Sequence, residues 1–236
     1  MTDRFPLRMI EPFARPSVSD QVFDALQAQV LSLELAPGSK LSEVDVAKQM
    51  GVSRQPVRDA FYRLSKLGFL VIRPQRATTV SKISADAVMR ARFIRSAIEM
   101  ETVRAACAKL TDADLAALDT LLEGQLAASE AGEKARFHQL DDQFHHEICS
   151  RAGLGFTWDL IRENKGHMDR VRMLSLSFAS RRAYDDHLLI MAALKARDGD
   201  GAALAMRQHL SRIKEQVDRI RAENHAWFAD GEGEGD

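Results

Sequence analysis

One eight-residue run, Gly51-Val52-Ser53-Arg54-Gln55-Pro56-Val57-Arg58, constrains this chain more than any other. Glycine stops a helix because it alone enters the left-handed region freely. Ser53 can open the next helix, and Pro56 is tolerated in that helix's first turn. Before the run, Ser42 starts a short helix with Asp45 three residues on, and Val44, Val46, Ala47 and Met50 are its apolar positions. After it, Val57, Ala60, Phe61 and Leu64 recur at helical spacing as far as Lys66. The expectation is two short helices joined by a tight glycine turn.

The flanks complete the unit. Ser17 and Asp20 form a capping-box pattern, followed by Val22, Leu26, Val30 and Leu33 at helical spacing and a Pro37-Gly38 turn. Beyond Gly68, Phe69–Ile72 and Thr78–Val80 are β-prone and separated by Pro74-Gln75-Arg76-Ala77, so a hairpin is predicted. This order is that of a winged helix-turn-helix, assigned to residues 17–82 after a proline-containing arm at 1–16.

Charge supports a polyanion partner. The formal net charge is −1, but residues 1–82 carry 12 Lys/Arg against 8 Asp/Glu, and from Arg54 to Lys82 seven basic residues face the single acid Asp59. Arg54 and Arg58, spaced i, i+4, share one face of the third helix, and arginine pairs two-pronged with guanine. Ser53 at the helix N-terminus suits a phosphate, Gln55 can reach a base or phosphate, and Arg76 stands at the hairpin tip. The competing reading is a solvated surface helix whose arginines pair with Asp59 or water.

From Ser84 onward the pattern is helical, with helices predicted at about 84–109, 112–130, 132–151, 156–176, 180–198 and 200–225. The fold class is therefore mainly α: a winged helix-turn-helix followed by an all-helical bundle at 83–225 and an acidic, glycine-rich tail at 226–236 expected to be disordered. Leu115, Leu118, Leu121 and Leu122 read as core, and Cys107 and Cys149 as buried free thiols. No apolar run approaches the ~20 residues of a membrane span, and the first residues lack a signal peptide's apolar core, so a cytoplasmic protein is expected.

The stretch PGSKLSEVDVAKQMGVSRQPVRDAFYRLSKLGFLVIRP resembles the GntR family of bacterial regulators over about residues 18–82. The resemblance implies DNA contacts at Arg54, Gln55 and Arg58, and also at Ser53 and the wing. Two positions depart from the family pattern. Val44 stands where many members have a DNA-reaching arginine, and Ala77 where a wing glycine is usual.

The remainder resembles the FCD effector domain of the FadR subgroup, through Arg95-x-x-x-Glu99, Asp141-x-x-Phe144-His145, Asp186-His187 and His209-Leu210. Asp141 and His145 share a helical face, and His187 and His209 come from two further helices. Three imidazoles and a carboxylate suit a divalent transition metal (Zn, Ni or Mn) and leave coordination positions open. The resemblance implies the same four ligands. His138, on the face of Asp141 and His145, is a rival ligand or a pocket wall, while His146, His167 and His225 read as solvated or core residues. Arg95 is either a simple partner of Glu99 or a counter-ion for an anionic effector, with Arg170 and Arg172 as alternatives.

The expectation is a homodimeric, non-enzymatic regulator that binds double-stranded operator DNA, most simply as a repressor, under control of a small carboxylate effector. The alternatives are a DNA-binding protein with a purely structural metal, and a metal-dependent hydrolase or lyase. No general base stands beside the four ligands in the pattern, and an enzyme leaves the basic winged helix unexplained.

Overall fold

The computed structural model describes residues 16–73 and 75–229. Nearly all of the arm, and tail residues 230–236, lie outside the described residues.

The winged unit forms as its turn chemistry dictates. Helix α1 (Val18–Leu31) is opened by Ser17 and Asp20, whose side chains reciprocally satisfy each other's backbone N–H groups. It stops two residues before Leu33, which takes a left-handed φ of 67°. Helix α2 (Glu43–Met50) ends on Gly51 at φ 66°, and α3 (Arg54–Lys66) begins three residues later. The hairpin strands β2 (Leu70–Val71) and β3 (Thr78–Val80) pair antiparallel, and β1 (Lys40–Leu41), absent from the sequence expectation, adds to the other edge of β3. A two-residue strand carries no periodicity of its own; β1 exists because β3 offers it an unpaired edge. Val22, Leu26 and Val30 of α1, Val57, Phe61 and Leu64 of α3, and Leu70 and Val80 of the sheet form one core.

The helical body comprises α4 (Ala85–Lys109), α5 (Asp112–Glu130), α6 (Lys134–Arg151), α7 (Phe156–Asn164), α8 (Gly166–Lys195), α9 (Gly199–Ser211) and α10 (Ile213–Glu223). Two boundaries differ from expectation. The predicted helices 156–176 and 180–198 are instead a short α7 and a 30-residue α8 that runs unbroken through 176–180. The break falls at Lys165, because Gly166 is pressed against the winged domain: a Cβ there would lie 2.1 Å from Phe69 Cζ. The predicted helix 200–225 is divided at Arg212, whose backbone N–H bonds to the His209 carbonyl and whose guanidinium holds Asp186.

Val103, Leu118, Leu122, Phe144, Ile148, Ile190, Leu194 and Met206 pack the main helical core, with Leu121 only partly buried at its margin. Trp227 and Phe228, assigned to the tail from sequence, belong to the body. Ile83 N–H bonds to the Trp227 carbonyl at 2.8 Å, and Phe228 packs on Ile83, Met168 and Ile220. Cys107 and Cys149 are buried and unpaired. No helix among the described residues is long and apolar enough to cross a membrane.

Candidate metal centre and nucleic-acid interface

Four side chains from α6, α8 and α9 converge inside the helical body. Asp141 and His145 sit one turn apart on α6, His187 lies in the second half of α8, and His209 near the end of α9. All four are buried, and their ligand atoms lie within 4.8 Å of one another. His145 Nε2 and His187 Nε2 stand 3.2 and 3.3 Å from His209 Nε2, and His187 Nε2 is 3.6 Å from Asp141 Oδ1. Nitrogens held tetrahedrally at about 2.0–2.1 Å from one ion are about 3.3–3.4 Å apart. The two imidazole separations, both to His209, match that edge.

The other nitrogen of His145 and of His187 is held by a partner within hydrogen-bond reach, whereas that of His209 faces a carboxylate at longer range. His145 Nδ1 lies 2.5 Å from Glu99 Oε2, His187 Nδ1 lies 2.7 Å from Gln125 Oε1, and His209 Nδ1 is 3.6 Å from Asp186 Oδ2. A ring that donates from Nδ1 presents a bare lone pair at Nε2. Two such lone pairs turned toward His209 Nε2 in a dry interior are favourably occupied by a shared cation, and this is how outer partners orient metal-binding histidines. Asp141 Oδ1, buried without a hydrogen-bond partner, points to the same conclusion. The residues therefore fit a divalent transition metal.

Electrostatics favour metal-binding protonation states at His187, His209 and Asp141. Burial, with the neighbouring His209, holds His187 well below the usual imidazole range, and burial likewise lowers His209. Burial opposes charge on Asp141, but the adjacent Arg172 guanidinium, with His187 and His145, outweighs it and keeps the carboxyl well below its ordinary value. Arg172 pairs with Asp141 Oδ2.

A narrow pocket opens beside His209, with a cavity volume of about 50 Å³. Its polar lining includes Arg95, Arg172, Ser175, Arg212 and Gln216, and Met168, Leu176 and Ile213 supply apolar wall. Arg95, 2% exposed, reaches this wall while its Nε donates to Glu99 Oε1 at 2.6 Å. Glu99 thus bridges Arg95 and His145, so the simple ion pair and the pocket-facing arginine are both present. Arg170, the other sequence alternative, is elsewhere: it donates to the Ser81 carbonyl at 2.8 Å and contacts His167 Nδ1 at 2.6 Å at the junction with the winged domain. His138 stands outside the ligand cluster and faces Asp169 at 3.5 Å and Asp142 at 3.9 Å, which removes it as a rival ligand. His167 fills the domain junction, whereas His146 and His225 lie nearer the surface.

Sequence reasoning missed Gln125 and the His145-facing role of Glu99. Gln125 did carry a signal: it continues the apolar stripe Leu115, Leu118, Leu122 as a fully buried polar residue. Glu99 was hidden behind its obvious partner Arg95.

In the winged domain, Arg54 and Arg58 are well exposed, their side chains 59% and 57% accessible. Gln55 is also exposed, and its amide donates to Asp59 Oδ1 at 2.9 Å. Ser53 occupies the position before the helix, but it makes no side-chain cap hydrogen bond, contrary to the predicted cap. Ser53, with Gln55, Pro56 and Asp59 of α3, borders an open cleft shared with Ser19 and Val52. Arg76 is exposed in the wing turn, where the left-handed residue is Gln75. Val44 is exposed beside Glu43 at the start of α2.

A winged helix-turn-helix with exposed arginines on α3, joined to a helical body with a buried histidine cluster, defines a two-domain transcription regulator. Residues 18–80 match the model of the bacterial regulatory proteins of the gntR family, and residues 91–212 match the FCD domain. The chain is 40% identical over 215 residues to the HTH-type transcriptional repressor RspR of Escherichia coli K12, covering 90% of this chain and 94% of that one. It resembles the solved E. coli McbR/YncC at 28% identity with a TM-score of 0.73, covering 89% and 100% of the two chains. A regulator from Rhodococcus shares the fold, at 20% identity and a TM-score of 0.70, over 86% and 98% of the two chains. The chain belongs to the GntR family of transcriptional regulators and carries an FCD domain.

Proposed function

We propose that this regulator reads operator DNA as a homodimer through Ser53, Arg54, Gln55, Arg58 and the wing residue Arg76, and that a small carboxylate effector controls binding from a metal site formed by Asp141, His145, His187 and His209. Two α3 helices in adjacent major grooves of a near-palindrome require half-sites about 10 bp apart or closer. The observation that carries the effector reading is the placement of the arginine-lined pocket directly against His209, one of three converging imidazoles. A bound cation supplies positive charge and, by expanding its coordination beyond four protein ligands, can take a carboxylate. Arg95 and Arg172 add complementary charge at the pocket wall.

Helix α8 supports coupling between the two domains. Its second half carries His187, its middle lines the pocket through Arg172, Ser175 and Leu176, and its first residues, Gly166, His167 and Arg170, touch the winged domain and the linker. An effector that displaces α8 acts on both ends of one rigid element. Repression relieved by the effector is the favoured direction, in keeping with the name of the RspR relative.

The test uses untagged, metal-loaded protein. Organic acids that raise its melting temperature must also weaken DNA binding, and DNA must weaken acid binding by the same factor. Arg54→Ala with Arg58→Ala must abolish operator binding while leaving metal content unchanged. Operator binding that survives that double substitution refutes the DNA reading. The burial of all four ligands favours one second reading, a structural cation without effector; it prevails if metal is bound and no acid shifts the melting temperature.

A further inference from the structure

Both reading arginines lean on one carboxylate oxygen. Glu43, the first residue of α2, places its Oε2 3.4 Å from Arg54 Nη2, and 3.4 and 3.3 Å from Arg58 Nε and Nη2. Glu43 is the more sheltered partner, its side chain 28% exposed against 59% and 57% for the arginines. The carboxylate therefore sits beneath the guanidinium groups, not above them.

We infer that Glu43 is a positioning residue for base reading, a single carboxylate that holds Arg54 and Arg58 together and turns their outer edges toward the groove; this rests on the reading above that α3 meets DNA. A guanidinium has two usable edges. Arg58 spends its Nε–Nη2 edge on Glu43, and its remaining N–H groups stay free for the O6 and N7 acceptors of guanine. The clamp can thus persist in the complex. Two like charges one helical turn apart otherwise repel and splay toward phosphates, which carry no sequence information. Glu43 also offsets part of the arginines' positive charge from beneath, which weakens their pull on phosphates. It raises discrimination by supporting the base contact and by weakening the phosphate contact. Asp59 adds to this one turn along α3, where it accepts from Gln55.

An ordinary exposed ion pair would have little effect on anything, so the two readings separate experimentally. The probe is a duplex enriched from a randomised DNA pool by the full chain, compared with a scrambled duplex of the same composition, each titrated from about 50 to 200 mM salt. Glu43→Gln keeps size and hydrogen-bonding capacity but removes the charge. It is expected to bind the scrambled duplex more tightly, to steepen the salt dependence by about one unit of log K against log salt, and to lower the ratio of selected to scrambled affinity by about tenfold or more. Glu43→Asp retains the charge but withdraws it by one methylene; it should lose the ratio while leaving the salt slope alone, which keeps the test decisive if the glutamine variant folds poorly. Parent-like ratios in both variants, alongside loss of binding in Arg58→Ala, overturn the clamp while leaving the DNA reading intact. Parent-like binding in Arg58→Ala refutes the DNA reading itself, and the clamp with it.

Discussion

Replacing Gly166 with alanine tests whether the two domains are packed as described. Gly166 is the first residue of α8, and at an ordinary helix position the exchange stabilises by about 1 kcal/mol through backbone propensity. Here the sign should reverse. The new Cβ would lie 2.1 Å from Phe69 Cζ and 2.5 Å from Cε1, about 1.3 Å inside the 3.4 Å at which ordinary contact begins. The ring is rigid and only 4% exposed, with Arg170 5.8 Å from its centroid and His167 6.2 Å away, so it has little room to retreat. Overpacking of this kind costs about 1–3 kcal/mol. At about 2–4 °C per kcal/mol for a chain of this size, the melting temperature should fall by several degrees. Phe69→Leu removes the ring edge, so the double variant should lose less than the sum of the single losses, with a coupling of about 1 kcal/mol or more. Thermal unfolding followed by helical circular dichroism gives all four values. A Gly166→Ala protein as stable as its parent, or more so, refutes the close docking of α8 on the winged domain.

Gln125→Leu removes the acceptor from His187 Nδ1 while preserving bulk in a fully buried position; metal affinity should fall by about 10–100-fold with helical content retained, as measured by competition with a coloured chelator. His167 is pushed down to about 3 by burial, with Arg170 and Arg90 adding repulsion. An unfolded histidine titrates near 6.5, so between about 3 and 6.5 the unfolded chain holds the extra proton and stability rises with pH. Acidification from pH 7 to 5 should therefore cost about 2 kcal/mol from this residue, and His167→Gln should flatten that part of the stability–pH profile. An unaltered profile in the variant contradicts the buried, neutral imidazole.

The winged unit was legible because its determinants are local. Gly51, Gly68 and the Ser17–Asp20 cap act on their own backbone, and the stripes of α1 and α3 pack within the same short stretch. What escaped depends on distant partners. Strand β1 exists only through β3, and the break at Lys165 follows from Phe69, almost a hundred residues earlier. The continuity of α8 through Ser177–Ser180 was missed in the opposite sense, since weak helix formers there are carried by tertiary packing. The four converging side chains were readable because i, i+4 spacing and a family pattern name them. Their supporting shell was not, since Glu99, Gln125, Arg172 and Asp186 gain meaning only once α4, α5, α8 and α9 are assembled. Lys165, buried between Asp142 and Asp169 at 2.6 Å from each, left no trace in the pattern at all.

The most direct measurement is the metal content of the full chain, expressed without a histidine tag and stripped of loosely held ions, for the parent and for His187→Ala and Asp141→Ala. One equivalent of a divalent transition metal per chain in the parent, falling to background in both variants, is the expected result. A metal-free parent that fails to take up zinc, nickel or manganese on titration, with its fold intact, contradicts the account.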